Sequence, residues 1–331
     1  MRVLLTVDVE AHRVLDEISG VDHDSLGFIL SAFDAHGVKG TFFVDVCGSE
    51  TWGEEVVRRS CERILHRGHD VQLHVHPHHS TKDQARWHLS QYTPEEQASI
   101  LGKAVDRYRA YVGTAPYAFR AGGFGIDDSS IDLLRAAGLQ VDCSYMWGWR
   151  GCNIAPSARG LPSRYRDILE LPMTPIVGLG TERWPIRIGP LDFNWQPLFV
   201  LKDALRTLRA SGAPVAVLLL HSSSMYVRIG RRRLLYRRAH ERKLRNLLEF
   251  LRSHDFRTAT VTEATHDGLL AASPPLQDAV YVPRGLATQY RILLFQSLVG
   301  FGISAKFRAF VLAQVAGVAL LVGLVLWAVR R

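Results

Sequence analysis

Gly68-His69-Asp70-Val71-Gln72-Leu73-His74-Val75-His76-Pro77-His78-His79 places five of the chain's 14 histidines within eleven residues. Val71 to Leu73 is a short apolar run that reads as a buried strand, and Pro77 ends it. The imidazoles therefore gather at the carboxyl end of a strand, where (β/α) folds place their chemistry. Neutral imidazole is a ligand for zinc and other divalent transition metals. The stretch is also compatible with a surface histidine-rich loop, so its meaning depends on what the rest of the chain brings to it.

Upstream, Val3 to Val9 is a strand-like run ending in Asp8-Val9-Glu10. Residues two apart on a strand share a face, so Asp8 and Glu10 point the same way. Adjacent carboxylates repel unless a cation or proton lies between them. A helix over Asp24 to His36, a strand over Val38 to Val46 and a helix over Glu54 to His66 lead into the histidine strand. Thr93-Pro94-Glu95-Glu96 opens a helix with a capping box and proline at its first position. A strand from Tyr117 ends in Arg120-Ala121-Gly122-Gly123. Further strands are read over Leu139 to Cys143, Ile168 to Leu171 and Val215 to His221, with helices over Asp127 to Ala137, Gln196 to Ala210 and Arg232 to His254. About seven strands, most followed by a helix or long loop, predict an irregular seven-stranded (β/α) barrel across residues 1–268.

From about Ala272 prolines mark a linker, and Ile292 to Ile303 reads as an interfacial apolar segment, giving a second region over 269–305. Ala309 to Val329 carries no charge and is long enough for a bilayer, so residues 306–331 are expected to form a transmembrane helix. No secretory signal is read at the amino terminus. The expected placement is a single-pass carboxyl-terminal anchor in the cell membrane with a cytoplasmic catalytic domain. Four cysteines without CxxC spacing suit a reducing setting. The net charge of +8 comes from 40 basic and 32 acidic residues. Tyr226 to Leu248 alone holds nine Arg or Lys and one Glu, so the basicity is local and a nucleic-acid partner is not expected.

The strand ends supply Asp8, Glu10, His74 with His76 or His78, Arg120 and His221. One carboxylate and two imidazoles make a minimal metal site with open positions. A second carboxylate and a further histidine can serve as base and acid. On these motifs residues 1 to about 265 resemble the NodB-type polysaccharide deacetylases of carbohydrate esterase family four. Thr6-Val7-Asp8-Val9-Glu10 is similar to that family's Thr-Phe-Asp-Asp, and the resemblance implies Asp8 as base and Glu10 as metal ligand. It implies His74 and His78, four apart, as the remaining ligands, with His76 as rival to His78. It implies Arg120 as the group orienting the base, Leu169 to Pro175 as the fourth motif, and His221 of Leu218-Leu219-Leu220-His221 as general acid. Two departures stand out: Glu10 is displaced from a plain Asp-Asp pair, and Arg-Ala-Gly-Gly replaces Arg-Pro-Pro-Tyr.

The implied activity is metal-dependent removal of an N-acyl group, acetyl or formyl, from an amino sugar. Zinc is the expected ion, with cobalt, nickel, iron and manganese as alternatives. The terminal anchor suggests a polyprenyl- or lipid-linked sugar. Two other readings remain open: a metal-dependent phosphoesterase of the PHP type built on His74 and His76, and a non-catalytic carbohydrate-binding barrel.

Overall fold

A computed structural model describes residues 1–10, 24–229, 233–268, 278–299 and 313. Among the described residues, strands β1 (Arg2–Val9), β2 (Thr41–Asp45), β3 (Asp70–Val75), β4 (Ala118–Ala121), β5 (Val141–Asp142), β6 (Ile168–Glu170) and β7 (Val215–His221) form one parallel sheet. The spatial order is β7-β1-β2-β3-β4-β5-β6, and Ser163–Tyr165 pairs antiparallel outside β6. The intervening helices are α1 (Ser25–Ala35), α2 (Glu54–His66), α3 (Pro94–Val112), α4 (Asp128–Ala136), α5 (Leu198–Ala210) and α6 (Arg238–Ser253). This is a (β/α) half-barrel. Between β6 and β7 the ladder is completed by irregular chain: Leu219 donates to Leu191 O at 2.9 Å, Phe193 donates to Leu219 O at 2.8 Å, and Leu191 donates to Thr174 O at 2.8 Å.

Period-two alternation decides what each strand presents. Val3, Leu5, Val7 and Val9 pack in the layer shared with Leu26, Ile29, Leu30 and Phe33 of α1. Leu4 packs instead with Phe43, Ala118, Val217 and Leu219 inside the curl of the sheet. Thr6 and Asp8 have the parity of Leu4, so the first strand rises from apolar floor to carboxylate along one face. β7 repeats this with Val217, Leu219 and then His221. The registers Asp8↔His221, Asp8↔Phe43, Asp45↔His74 and His74↔Arg120 bring these parities together across four strand pairs of the inner face.

Helix ends follow local chemistry. Thr93 and Glu96 form the expected capping box on α3, and Gly113 closes it in the left-handed region at φ 83°. α6 begins at Arg238, not Arg232, because the preceding residues form a hairpin of Tyr226–Ile229 with Arg233–Tyr236. Thr258 ends a two-residue strand beside β1, and Thr260 then caps the helix Val261–His266.

The stretch expected to be an interfacial segment contributes a helix, Leu286–Val299. It sits on the hairpin Pro175–Gly180/Pro185–Pro190, where the Gln289 side-chain amide exchanges two hydrogen bonds with the Gly180 backbone. Ile292 is fully buried there. This last described helix has 14 residues, about 21 Å at 1.5 Å per residue, short of the roughly 30 Å of a bilayer core. Among the described residues no helix is long and apolar enough to cross a membrane. The structure gives no support to the transmembrane helix expected over 306–331, nor to the single-pass anchor and the cell-membrane placement, and these expectations are withdrawn. Apart from residue 313, that stretch lies outside the described residues.

Candidate active site

Glu10, His74 and His76 are buried, and their ligand atoms all lie within 4.8 Å of one another. β3 explains the pair of imidazoles: residues 74 and 76 differ by two, so the strand aims both to the inner face. His76 Nε2 lies 3.2 Å from Glu10 Oε1. His74 Nδ1–H donates to Arg120 O at 2.7 Å, which leaves the Nε2 lone pair to point away from the sheet. That Nε2 is buried and has no hydrogen-bond partner among the described residues. A carbonyl on one imidazole nitrogen commonly fixes the other as a metal ligand. Burial, only partly opposed by Asp8, holds His74 below the ordinary histidine pKa and so keeps it neutral. Two nitrogens and one carboxylate, with an orphaned imidazole nitrogen between them, fit a divalent cation of zinc type.

His78 sits beside this group and not within it. Pro77 begins a short helix, Pro77–Thr81, which turns the chain off the strand. The His78 ring packs on Trp87 with centroids 4.4 Å apart, on His79 at 4.2 Å and against His76 at 5.4 Å, and does not belong to the Glu10–His74–His76 group. Burial first, and then His79 and His76, push its pKa down to about 4. The physical reason is the turn at Pro77: residue 78 has the strand parity of 74 and 76, but the strand ends at Val75 and only 76 still reaches the inner face before the helix begins.

Asp8 stands at the end of β1 opposite His221. Arg120, fully buried, donates from a guanidinium nitrogen to Asp8 Oδ1 at 2.7 Å and to Thr6 Oγ1 at 3.1 Å. Its Nε donates to Cys143 O at 3.2 Å, and its guanidinium lies over the Phe43 ring at 4.1 Å. Burial raises the Asp8 pKa, but the charges of Arg120, His74 and His221 and the Arg120 hydrogen bond outweigh it. The carboxyl is held below the usual carboxylate range. His221 is half-buried, and its Nδ1 has no hydrogen-bond partner among the described residues. The serines that follow are scaffold: Glu10 N–H donates to Ser222 Oγ at 3.3 Å and His221 N–H to Ser224 Oγ at 2.9 Å.

Other groups at the site carried no motif. Asp45, at the end of β2, accepts from His76 N–H at 3.2 Å and from His79 Nδ1–H at 2.6 Å. Its position at the end of an apolar strand, with the parity of Phe43, is the signal that identifies it. Asp192 is buried, accepts the backbone N–H groups of Asn194 and Trp195, and has its burial-raised pKa opposed by His221. Trp149, whose Nε1 donates to Gly123 O, packs on Trp195 with centroids 5.7 Å apart.

Residues 3–141 match the family model described as Polysaccharide deacetylase. A crystal structure assigned as a polysaccharide deacetylase from Mycobacterium smegmatis superposes with a TM-score of 0.55 at 17% identity, covering 83% of this chain and 93% of that one. That similarity establishes a shared fold. The peptidoglycan deacetylase PdaC from Bacillus subtilis is 15% identical over 80% of this chain and 90% of its own, with a TM-score of 0.44. A family 4 carbohydrate esterase from Streptomyces lividans is 12% identical over 78% and 91%, also with a TM-score of 0.44. At those scores the latter two carry no weight. No curated protein matches the sequence significantly.

Proposed function

We propose, from the premise that this chain is a hydrolase of polysaccharide deacetylase type acting on carbon–nitrogen bonds other than peptide bonds, that it removes an N-acyl group from an amino sugar with the help of a divalent metal ion. The observation that carries the reading is the Glu10–His74–His76 cluster set beside the buried Asp8–Arg120 pair. Zinc suits the donor set best, with cobalt, nickel, iron and manganese as alternatives. The unit proposed to do this is residues 1–268, followed by the 269–305 region.

Glu10, His74 and His76 would hold the ion, which supplies Lewis-acid polarisation of the acyl carbonyl and acidifies the attacking water. Asp8, kept ionised by Arg120, accepts the proton of that water at its carboxylate. Arg120 meets Asp8 through one nitrogen and Thr6 through the same nitrogen, so the carboxylate cannot swing away from the inner face. His221, across the register from Asp8, donates a proton to the departing amine nitrogen. Trp149 and Trp195 offer apolar faces suited to a sugar ring. Acetyl and formyl groups are both compatible with this arrangement. The lipid carrier suggested by the apolar terminus has no independent support once the anchor is withdrawn, so the proposed substrate is an N-acylated amino sugar of a glycan.

The test is release of acetate or formate from N-acylated glucosamine oligomers by the zinc-loaded protein. Asp8→Asn should lower the rate at least about 100-fold, the lower range for a lost general base, while zinc is retained. His74→Ala should lose both zinc and activity. Full activity in both variants removes the mechanism. Release of phosphate from a simple ester, without acyl release, would favour a phosphoesterase instead.

A further inference from the structure

The tract His74-Val75-His76-Pro77-His78-His79 offers several imidazoles to one ion, and its sequence does not say which are used. We propose that Gly122 and Asp45 are positioning residues that deliver the His76 ring to Glu10 and His74 and keep His78 and His79 away from them. The inference rests on the metal-dependent reading above and adds to it how the ligand is selected.

Gly122 provides the space. A Cβ built at this residue would lie 2.5 Å from His76 Nδ1 and 2.8 Å from both Cε1 and Cγ of the ring. Distances under 3 Å are not tolerated, so any side chain at 122 must push the imidazole out of its place. The backbone does not itself demand glycine there, because Gly122 is absent from the positive-φ residues, unlike Gly123 at φ 58°. The need for glycine at 122 comes from the ring alone. This gives a physical reason for the Arg120-Ala121-Gly122-Gly123 sequence at the end of β4: a bulkier residue and an inward-facing His76 exclude each other.

Asp45 works from the other side. One carboxylate oxygen takes the His76 backbone N–H, fixing the point where the chain leaves β3. The other takes His79 Nδ1–H and so commits that ring to the β2 side. Asp45 is fully buried, so water does not compete for either bond. His78 packs on Trp87 and on the His79 ring, at 4.4 and 4.2 Å between centroids. The two neighbouring rings are thus taken up by Asp45 and Trp87, and the His76 ring is the one placed against Glu10.

The experiment titrates zinc into the full chain against a chromogenic chelator, for the wild type and for Gly122→Ala, Asp45→Asn, His76→Ala and His78→Ala. Gly122→Ala and Asp45→Asn should each weaken zinc binding about 10–100-fold, the range seen when groups supporting a metal ligand are removed. His78→Ala should leave affinity unchanged. Because Gly122 acts through His76, Gly122→Ala should add nothing to the residual binding of His76→Ala, a non-additivity that a general folding defect does not produce. Circular dichroism reports folding, and if Gly122→Ala fails to fold, the same cycle with Asp45→Asn and His76→Ala decides. Wild-type zinc uptake that survives both Gly122→Ala and Asp45→Asn overturns the inference alone, as does loss of zinc on His78→Ala but not His76→Ala. A wild type that takes up no zinc overturns the metal reading and this inference together.

Discussion

Arg120 shows how much one residue can carry. Its guanidinium is fully buried and serves Asp8, Thr6 and the Cys143 carbonyl at once, while its own carbonyl fixes the His74 tautomer. Breaking one side of a buried ion pair typically costs about 3–5 kcal/mol, because the remaining charge is stranded. Arg120→Met should therefore lower stability by that order in urea unfolding. It should also remove the largest influence that holds the Asp8 carboxyl down against burial. The base must be ionised to act, so the acidic limb of the kcat/KM profile should move to higher pH. An unmoved limb would show that Asp8 is not the base. The motif made Arg120 and Asp8 legible in the sequence. It did not make Asp45 legible, because that residue looks like the tail of an apolar strand until the register with His74 is known. The family spacing points to His78, whereas the group the structure brings together holds His76, for a local reason: the strand direction carries to residue 76, and the helical turn begins only at Pro77.

At the scale of elements, β5 and β6 carry a feature unrelated to the site. Asp142 and Glu170 are paired in register and both are fully buried. Ser144 Oγ–H donates to Asp142 at 2.6 Å and Tyr145 N–H to Glu170 at 3.0 Å. Burial, reinforced for Glu170 by the charge of Asp142, pushes both carboxyls above their ordinary range, Glu170 further. The folded chain thus keeps a proton that the unfolded chain releases near pH 4.3. With pKa raised by folding, stability falls as pH climbs above that value, by at most about 1.4 kcal/mol per unit for one proton. Glu170→Gln carries its hydrogen at every pH, so its urea midpoint should change less than that of the wild type between pH 5 and 8. Equal slopes would mean the pair holds no proton. Strand and helix identities were legible here from apolar runs, caps and glycine stops. The two hairpins were not, since Pro175–Gly180 and Pro185–Pro190 lack the apolar alternation that announces a strand, and Arg233–Tyr236 reads as the start of a helix.

For the whole molecule, the described segment 278–299 is held to the half-barrel. Tyr281 is fully buried, bonds Asp203 through its hydroxyl at 2.5 Å, and bridges to Ile176. Removing so large a buried ring usually costs about 3–5 kcal/mol, and Tyr281→Ala should lower stability accordingly in denaturant unfolding. A neutral result would show that this segment leaves the barrel without cost. Metal adds a second global handle. An ion that binds only the folded state at 100 times its dissociation constant stabilises by about 2.7 kcal/mol, so chelation should lower Tm in the wild type and have no effect in His74→Ala.

The ladder between β1 and β7 has a consequence for how the chain reaches activity. Asp8 and His221 are neighbours in space but 213 residues apart in sequence, and Glu10 is held by Ser222 across a similar span. Closing so long a loop is entropically unfavourable until the intervening chain is compact, and non-local pairings of this kind slow folding. The proposed base and the proposed proton donor therefore meet only when β7 docks against β1. During synthesis the nascent chain lacks the donor until most of the barrel has emerged. Hydrolytic activity, on this topology, appears at the end of folding and reports its completion.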